Sequence, residues 1–160
     1  MDKDEVIGAL LLWNFWEKEI VTGIPRLGYL ERIKKFLPTD EVVALTGVRR
    51  CGKSTILLQA LAELFKAKVP RANTLYVNFE DSKFYNSLNI DLLDNIWQAY
   101  LDYLKPKGKV YLVLDEVQRV LGWEHWVRSI YDRKENVKIF ITGSNSELLS
   151  PEFATVLTGR

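Results

Sequence analysis

Between Gly47 and Thr55 the chain reads GVRRCGKST, two glycines bracketing four residues, followed at once by a lysine and hydroxyls. That order of residue types suits a phosphate chain. Gly47 and Gly52 would let the backbone turn through Val48, Arg49, Arg50 and Cys51 and bring its amide N–H groups close to phosphate oxygens. Lys53 would bridge the β and γ phosphates and Ser54 would coordinate magnesium, while Thr55 suits either helical packing or a weaker phosphate contact. Further along, YLVLDE ends in Asp115 and Glu116. A carboxylate beside such a loop can sit in a magnesium shell, and its neighbour can orient and polarise an attacking water. Asp115 is therefore assigned to metal and Glu116 to water. In ITGSNSELL, Ser144 or Asn145 either hydrogen-bonds the γ-phosphate or its water, or caps a helix ahead of Glu147.

The spacing G-x-x-x-x-G-K-S is the P-loop signature, and it demands a strand before the loop and a helix after it. VVALT, from Val42 to Thr46, is a short β-branched apolar run that stops at the loop. From Lys53 onward Ile56, Leu57, Ala60, Leu61, Leu64 and Phe65 recur at helical spacing until Pro70. TLYVNFED predicts a second strand, and Leu92, Leu93, Ile96, Trp97, Tyr100, Leu101 and Leu104 a helix with one apolar face. VYLVLDE is apolar for five residues, as a parallel strand covered on both sides should be. A helical stripe through Trp123, Trp126, Val127, Ile130 and Tyr131 follows, and VKIFITG closes the series as a fourth strand. Alternating strands and helices imply a parallel sheet with right-handed crossovers and a ligand outside the strands' carboxyl ends. The polar residues singled out all fall there.

Residues 1–40 do not repeat this pattern. Val6, Ile7, Leu10, Leu11 and Trp13 to Trp16 predict one amphipathic helix, TGIPR breaks it, and Leu27, Leu30, Ile33 and Leu37 predict a second ending at Pro38. Such a segment either closes an open side of the sheet or, through Pro25, Arg26 and the residues up to Tyr29, contacts an adenine.

Composition narrows the alternatives. With 22 basic and 21 acidic residues in 160, the totals describe neither a general nucleic-acid surface nor an acidic tail. Arg49 and Arg50 in the loop and Lys34 and Lys35 on a helix read as solvated faces before DNA contacts. The longest apolar run, Ala9 to Trp13, is too short to span a bilayer, and the acids at Asp2, Asp4 and Glu5 do not suit a secretory signal, so a cytoplasmic protein is expected. A single cysteine excludes an internal disulfide, and a single histidine, His125, leaves no Cys/His zinc cluster. Cys51 lies where a thiolate is favoured but has no histidine beside it in sequence to act as base. The N-K-x-D stretch that usually marks guanine specificity is missing, which points to ATP.

Taken together, GVRRCGKST, YLVLDE and ITGSNS resemble the AAA+ branch of P-loop ATPases. LGYLERIKKFL, LYVNFED and the terminal LTGR extend the resemblance over nearly the whole chain, toward uncharacterised prokaryotic and archaeal ATPases whose core leads into a separate C-terminal domain. The resemblance implies a three-layer α/β/α sandwich with a parallel sheet, formed by residues 41–160 and preceded by the helical segment. It also implies Mg-ATP binding and hydrolysis, coupled to another domain or, by self-association through the ATPase face, to a neighbouring subunit. By position Asn78 matches a switch residue that restrains the catalytic glutamate. Asn145, or Ser144, matches the first sensor, and Arg160 matches an arginine finger or phosphate sensor. AAA+ modules continue into a fifth strand and a helical lid, which this sequence lacks, so it reads as a fragment or truncated form with reduced turnover. A nucleotide-dependent switch with little turnover is the alternative, and a phosphotransferase is disfavoured because Glu116 favours water as acceptor.

Overall fold

The computed structural model describes residues 1–133, 136–143 and 148. In chain order the helices are α1 (Lys3–Leu10), α2 (Leu27–Phe36), α3 (Lys53–Lys66), α4 (Ile90–Leu104) and α5 (Trp123–Asp132), and the strands are β1 (Val43–Thr46), β2 (Thr74–Asn78), β3 (Val110–Asp115) and β4 (Val137–Gly143). All strand pairs are parallel, and the sheet order is β1-β4-β3-β2. β4 therefore lies between the strand that enters the glycine loop and the strand that ends in Asp115.

Strand alternation separates two cores. Leu75, Val77, Leu112, Leu114, Ile139 and Ile141 face α1, α4 and α5, whereas Tyr76, Val113 and Phe140 face α3 and Ile33 of α2. Helices on both faces of a parallel sheet make this an α/β fold of the P-loop type. The two N-terminal helices lie on opposite faces: α1 packs on α4, and α2 on α3. Among the described residues no helix is long and apolar enough to cross a membrane.

The first helix is shorter than its apolar periodicity predicts. Asp2 and Glu5 form a capping box at its start, but regular helix stops at Leu10, and Trp13 to Trp16 turn along the outer edge of β2. Asn14 explains the departure. Its side-chain amide donates to Leu10 O and Tyr76 O, both at 2.8 Å, and its oxygen accepts from Tyr76 N at 2.8 Å. Trp16 Nε1 donates to Thr74 O at 2.7 Å and Trp13 Nε1 to Asp81 at 2.7 Å. Trp16 thus serves a backbone group of an edge strand and Trp13 a carboxylate just beyond it, contacts that helical periodicity does not register. Buried Lys138 at the start of β4 is similarly satisfied, donating to Thr39 O, Thr39 Oγ1 and Glu41 O just before β1.

Candidate functional site

The loop between β1 and α3 holds its shape through positive backbone angles. Gly47 has φ +156° and Gly52 has φ +93°, and Arg50 takes the left-handed region at φ 63°. Gly52 also sits against the Arg26 guanidinium, so a Cβ there would come within 2.5 Å of it. Helix α3 then starts without a side-chain cap. Its first N–H groups and the positive end of its dipole face the loop, which is the arrangement that receives an anion.

Lys53, the first residue of α3, is only 6% exposed. Its ammonium donates to Gly47 O at 3.3 Å and Val48 O at 3.4 Å and lies 3.3 Å from Glu116 Oε1. The glutamate's other oxygen accepts from Gln118 Nε2 at 2.7 Å. Glu116 itself is left-handed at φ 56°, a backbone state that costs a β-carbon residue free energy and is held by its surroundings. Part of that hold is Thr142, whose Oγ1 accepts the Glu116 N–H at 2.8 Å.

Asp115 is 2% exposed and accepts from two hydroxyls, Thr142 on one oxygen and Tyr76 on the other. Burial, then the charge of Asp115 and the hydrogen bond to it, raise Tyr76 above the usual tyrosine range, while Ser54 acts on the same phenol in the opposite sense. Ser54, Tyr76, Asp115, Thr142, Glu116 and Gln118 thus form one connected polar cluster under the start of α3. One hard-cation ligand from the loop and one carboxylate from the strand is the protein's usual share of a magnesium site, the remainder coming from phosphate and water. Ser54 and Asp115 fit that share. Among the described residues no group of three or more His, Cys, Asp or Glu could hold a metal without such help.

A cleft of about 330 Å³ opens over Lys53 and Glu116, with Gly47, Glu80 and Arg119 on its walls. Glu80 stands 3.0 Å from Arg49 and 3.9 Å from Arg119, so both cations at the mouth share one exposed carboxylate. On the other side of Lys53 a second cleft, of about 320 Å³, lies between α2 and β1, bounded by Tyr29, Arg32, Phe36, Thr46 and Cys51. Arg26 joins the loop by donating to Cys51 O at 2.8 Å, and Gln59 of α3 fixes the approach by accepting from Arg26 N and donating to Thr22 O and Ile24 O. Pro25 and Val48 are exposed, and Thr55 is half-buried on α3.

Of the residues singled out in sequence, the structure gathers Gly47, Gly52, Lys53, Ser54, Asp115 and Glu116 at one end of the sheet. Asn78 pairs in register with Asp115, and its side-chain oxygen accepts from Glu80 N at 2.9 Å; among the described residues Glu116 is bonded to Lys53, Thr142, Gln118 and the Arg119 N–H. Ser144, Asn145 and Arg160 lie outside the described residues. Tyr76, Thr142 and Gln118 escaped the sequence reading. Tyr76 and Thr142 carried a weak signal as hydroxyls inside apolar strands; Gln118 carried only its place two residues after Glu116.

The family model for the AAA domain matches residues 39–160. An uncharacterised protein of Haemophilus influenzae is 36% identical over 137 residues, covering 86% of this chain and 34% of that protein. Two uncharacterised proteins of Methanocaldococcus jannaschii are 38% and 29% identical over 126 and 128 residues, covering 79% and 78% of this chain and 26% of each relative. The chain thus spans about a quarter to a third of the length of the curated relatives it matches. No solved structure matches it.

Proposed function

We infer function from one premise: the chain belongs to the AAA domain family, a family of nucleotide-binding, ATPase-type P-loop proteins. We propose that it binds Mg-ATP and hydrolyses it slowly, coupling the change to a further domain or a neighbouring subunit, in the cytoplasm. The observation that carries this reading is the buried Lys53–Glu116 pair at the uncapped start of α3. A buried ammonium has a carboxylate for company in the absence of an anion, and a phosphate would compete for the same cation.

In this mechanism the loop amides and Lys53 bind the β and γ phosphates, and Ser54 and Asp115 are the residues that would hold a magnesium ion. Bound there, the ion would neutralise charge on the β and γ oxygens. Drawn to phosphate, Lys53 releases Glu116 to orient water. The water oxygen bonds to the γ-phosphorus, the bond to the ADP oxygen breaks, and the water proton passes to the Glu116 carboxylate. ADP and inorganic phosphate leave.

A nucleotide-dependent switch with little turnover is the second reading, favoured by the engagement of both Glu116 oxygens. One experiment separates them: fluorescent-nucleotide titration and phosphate release, with and without magnesium, for parent, Lys53→Ala and Glu116→Gln. Lys53→Ala should lose binding, while Glu116→Gln should bind as the parent does and release phosphate only at a small residual rate. Unchanged ATP affinity in Lys53→Ala would sink the site assignment. Binding by the parent without magnesium-dependent release would leave the switch.

A further inference from the structure

We propose that Gln118 is the positioning residue for Glu116, holding its carboxylate in place once Lys53 has moved to phosphate. The inference deepens the reading above and rests on it. The two oxygens of Glu116 have partners with different fates. Oε1 faces Lys53 at 3.3 Å, and that ammonium is the group a phosphate chain draws away. Oε2 accepts from the Gln118 amide at 2.7 Å, a neutral donor that phosphate does not attract. When the lysine leaves, Oε1 becomes the free basic oxygen and Oε2 stays anchored. The main chain of Glu116 is fixed separately, its N–H by Thr142 Oγ1 and its carbonyl by the Arg119 N–H at 3.2 Å, so backbone and carboxylate are held by different groups. A base fixed at both points presents its oxygen to water in one direction, which is the condition for proton transfer within hydrogen-bond reach.

Gln118 is itself held in a single orientation. Its Oε1 is buried and, among the described residues, has no hydrogen-bond partner. A Cβ on Gly143 would stand only 2.5 Å from that oxygen and 2.8 Å from Leu148. Turning the amide over would set two acceptor oxygens against each other, so Nε2 faces the carboxylate. A buried acceptor without a donor calls for an explanation, and here the geometry supplies one: the amide is oriented for Glu116 at the expense of its own oxygen. Gln118 makes and breaks no covalent bond.

The test uses the full chain at saturating Mg-ATP, comparing parent, Gln118→Met, Glu116→Gln and the double variant. Methionine keeps the length of the side chain and removes the amide. Gln118→Met should lower kcat roughly 10- to 100-fold, the span expected for losing a hydrogen bond to a charged group. Nucleotide affinity should be unchanged, and in the Glu116→Gln background the same substitution should cause no further loss. A residue that only supports the fold would instead weaken binding and reduce the residual rate of Glu116→Gln as well; that result overturns the proposal. If parent release depends on Glu116 and Gln118→Met matches the parent, the inference alone fails. If parent release does not depend on Glu116, the hydrolytic reading fails and takes this inference with it.

Discussion

Thr142→Val removes one hydroxyl that serves both acidic residues of the site. The Thr142 Oγ1 donates to Asp115 and accepts the Glu116 N–H, and the residue is fully buried at the end of β4. Valine keeps the shape and loses both bonds. Losing a donor to a charged carboxylate costs about 1.5–3 kcal/mol, and leaving the Glu116 amide unpaired about 1–3 kcal/mol. Because valine also removes a buried hydroxyl, a net loss of about 4 kcal/mol is expected, near the middle of that combined span. For a chain of this size that lowers Tm by about 8–16 °C. Thr142→Ser is the control, since it keeps the hydroxyl and removes one methyl worth about 0.8 kcal/mol. Urea unfolding of the three proteins at neutral pH reads the difference. If the valine variant is as stable as the serine variant, the hydroxyl is not joining the Asp115 carboxylate to the Glu116 amide and the description of the site is wrong. Phosphate release should fall with stability in the same order, because the left-handed Glu116 backbone loses the bond that holds it.

Gln59→Leu deletes three hydrogen bonds to the segment from Thr22 to Arg26, worth about 2–4 kcal/mol together. Trypsin should then cut after Arg26 faster than in the parent, and parent-like cleavage would refute the clamp. Tyr76 keeps its proton in the folded protein at pH values where the unfolded chain loses it, above about 10. Its contribution is complete below that pH and is lost as pH rises, since the unfolded state then binds fewer protons. Tyr76→Phe should make the alkaline decline of unfolding free energy shallower by up to about 1.4 kcal/mol per pH unit. Denaturant titrations between pH 9.5 and 11, spanning that reference value, test this, and equal slopes in both proteins would rule it out.

The strands and the phosphate loop were legible because each is a local pattern: an apolar run ending at Gly47, another ending at Asp115, and glycine, lysine and serine at fixed offsets. The order β1-β4-β3-β2 was not, since pairing between strands leaves no mark in any one of them. The segment from Trp13 to Trp16 misled the helical reading because its apolar rings carry N–H groups that bond the edge of β2, for Trp16, and Asp81 just beyond it, for Trp13. Gln118 was illegible for a related reason. Its role depends on the clearance at Gly143, which only the folded chain brings beside it.

The way Asn14 meets Tyr76 has a consequence for growth of the sheet. A primary amide has the same donor and acceptor as a peptide group, so one side chain there stands in for a neighbouring strand and, with Trp16, spends the hydrogen bonds another chain would use. Among the described residues the opposite border, along β1, has no such stopper, and β1 runs straight into the phosphate loop. Among the described residues, side chains terminate the sheet at its β2 border and none does so at its β1 border.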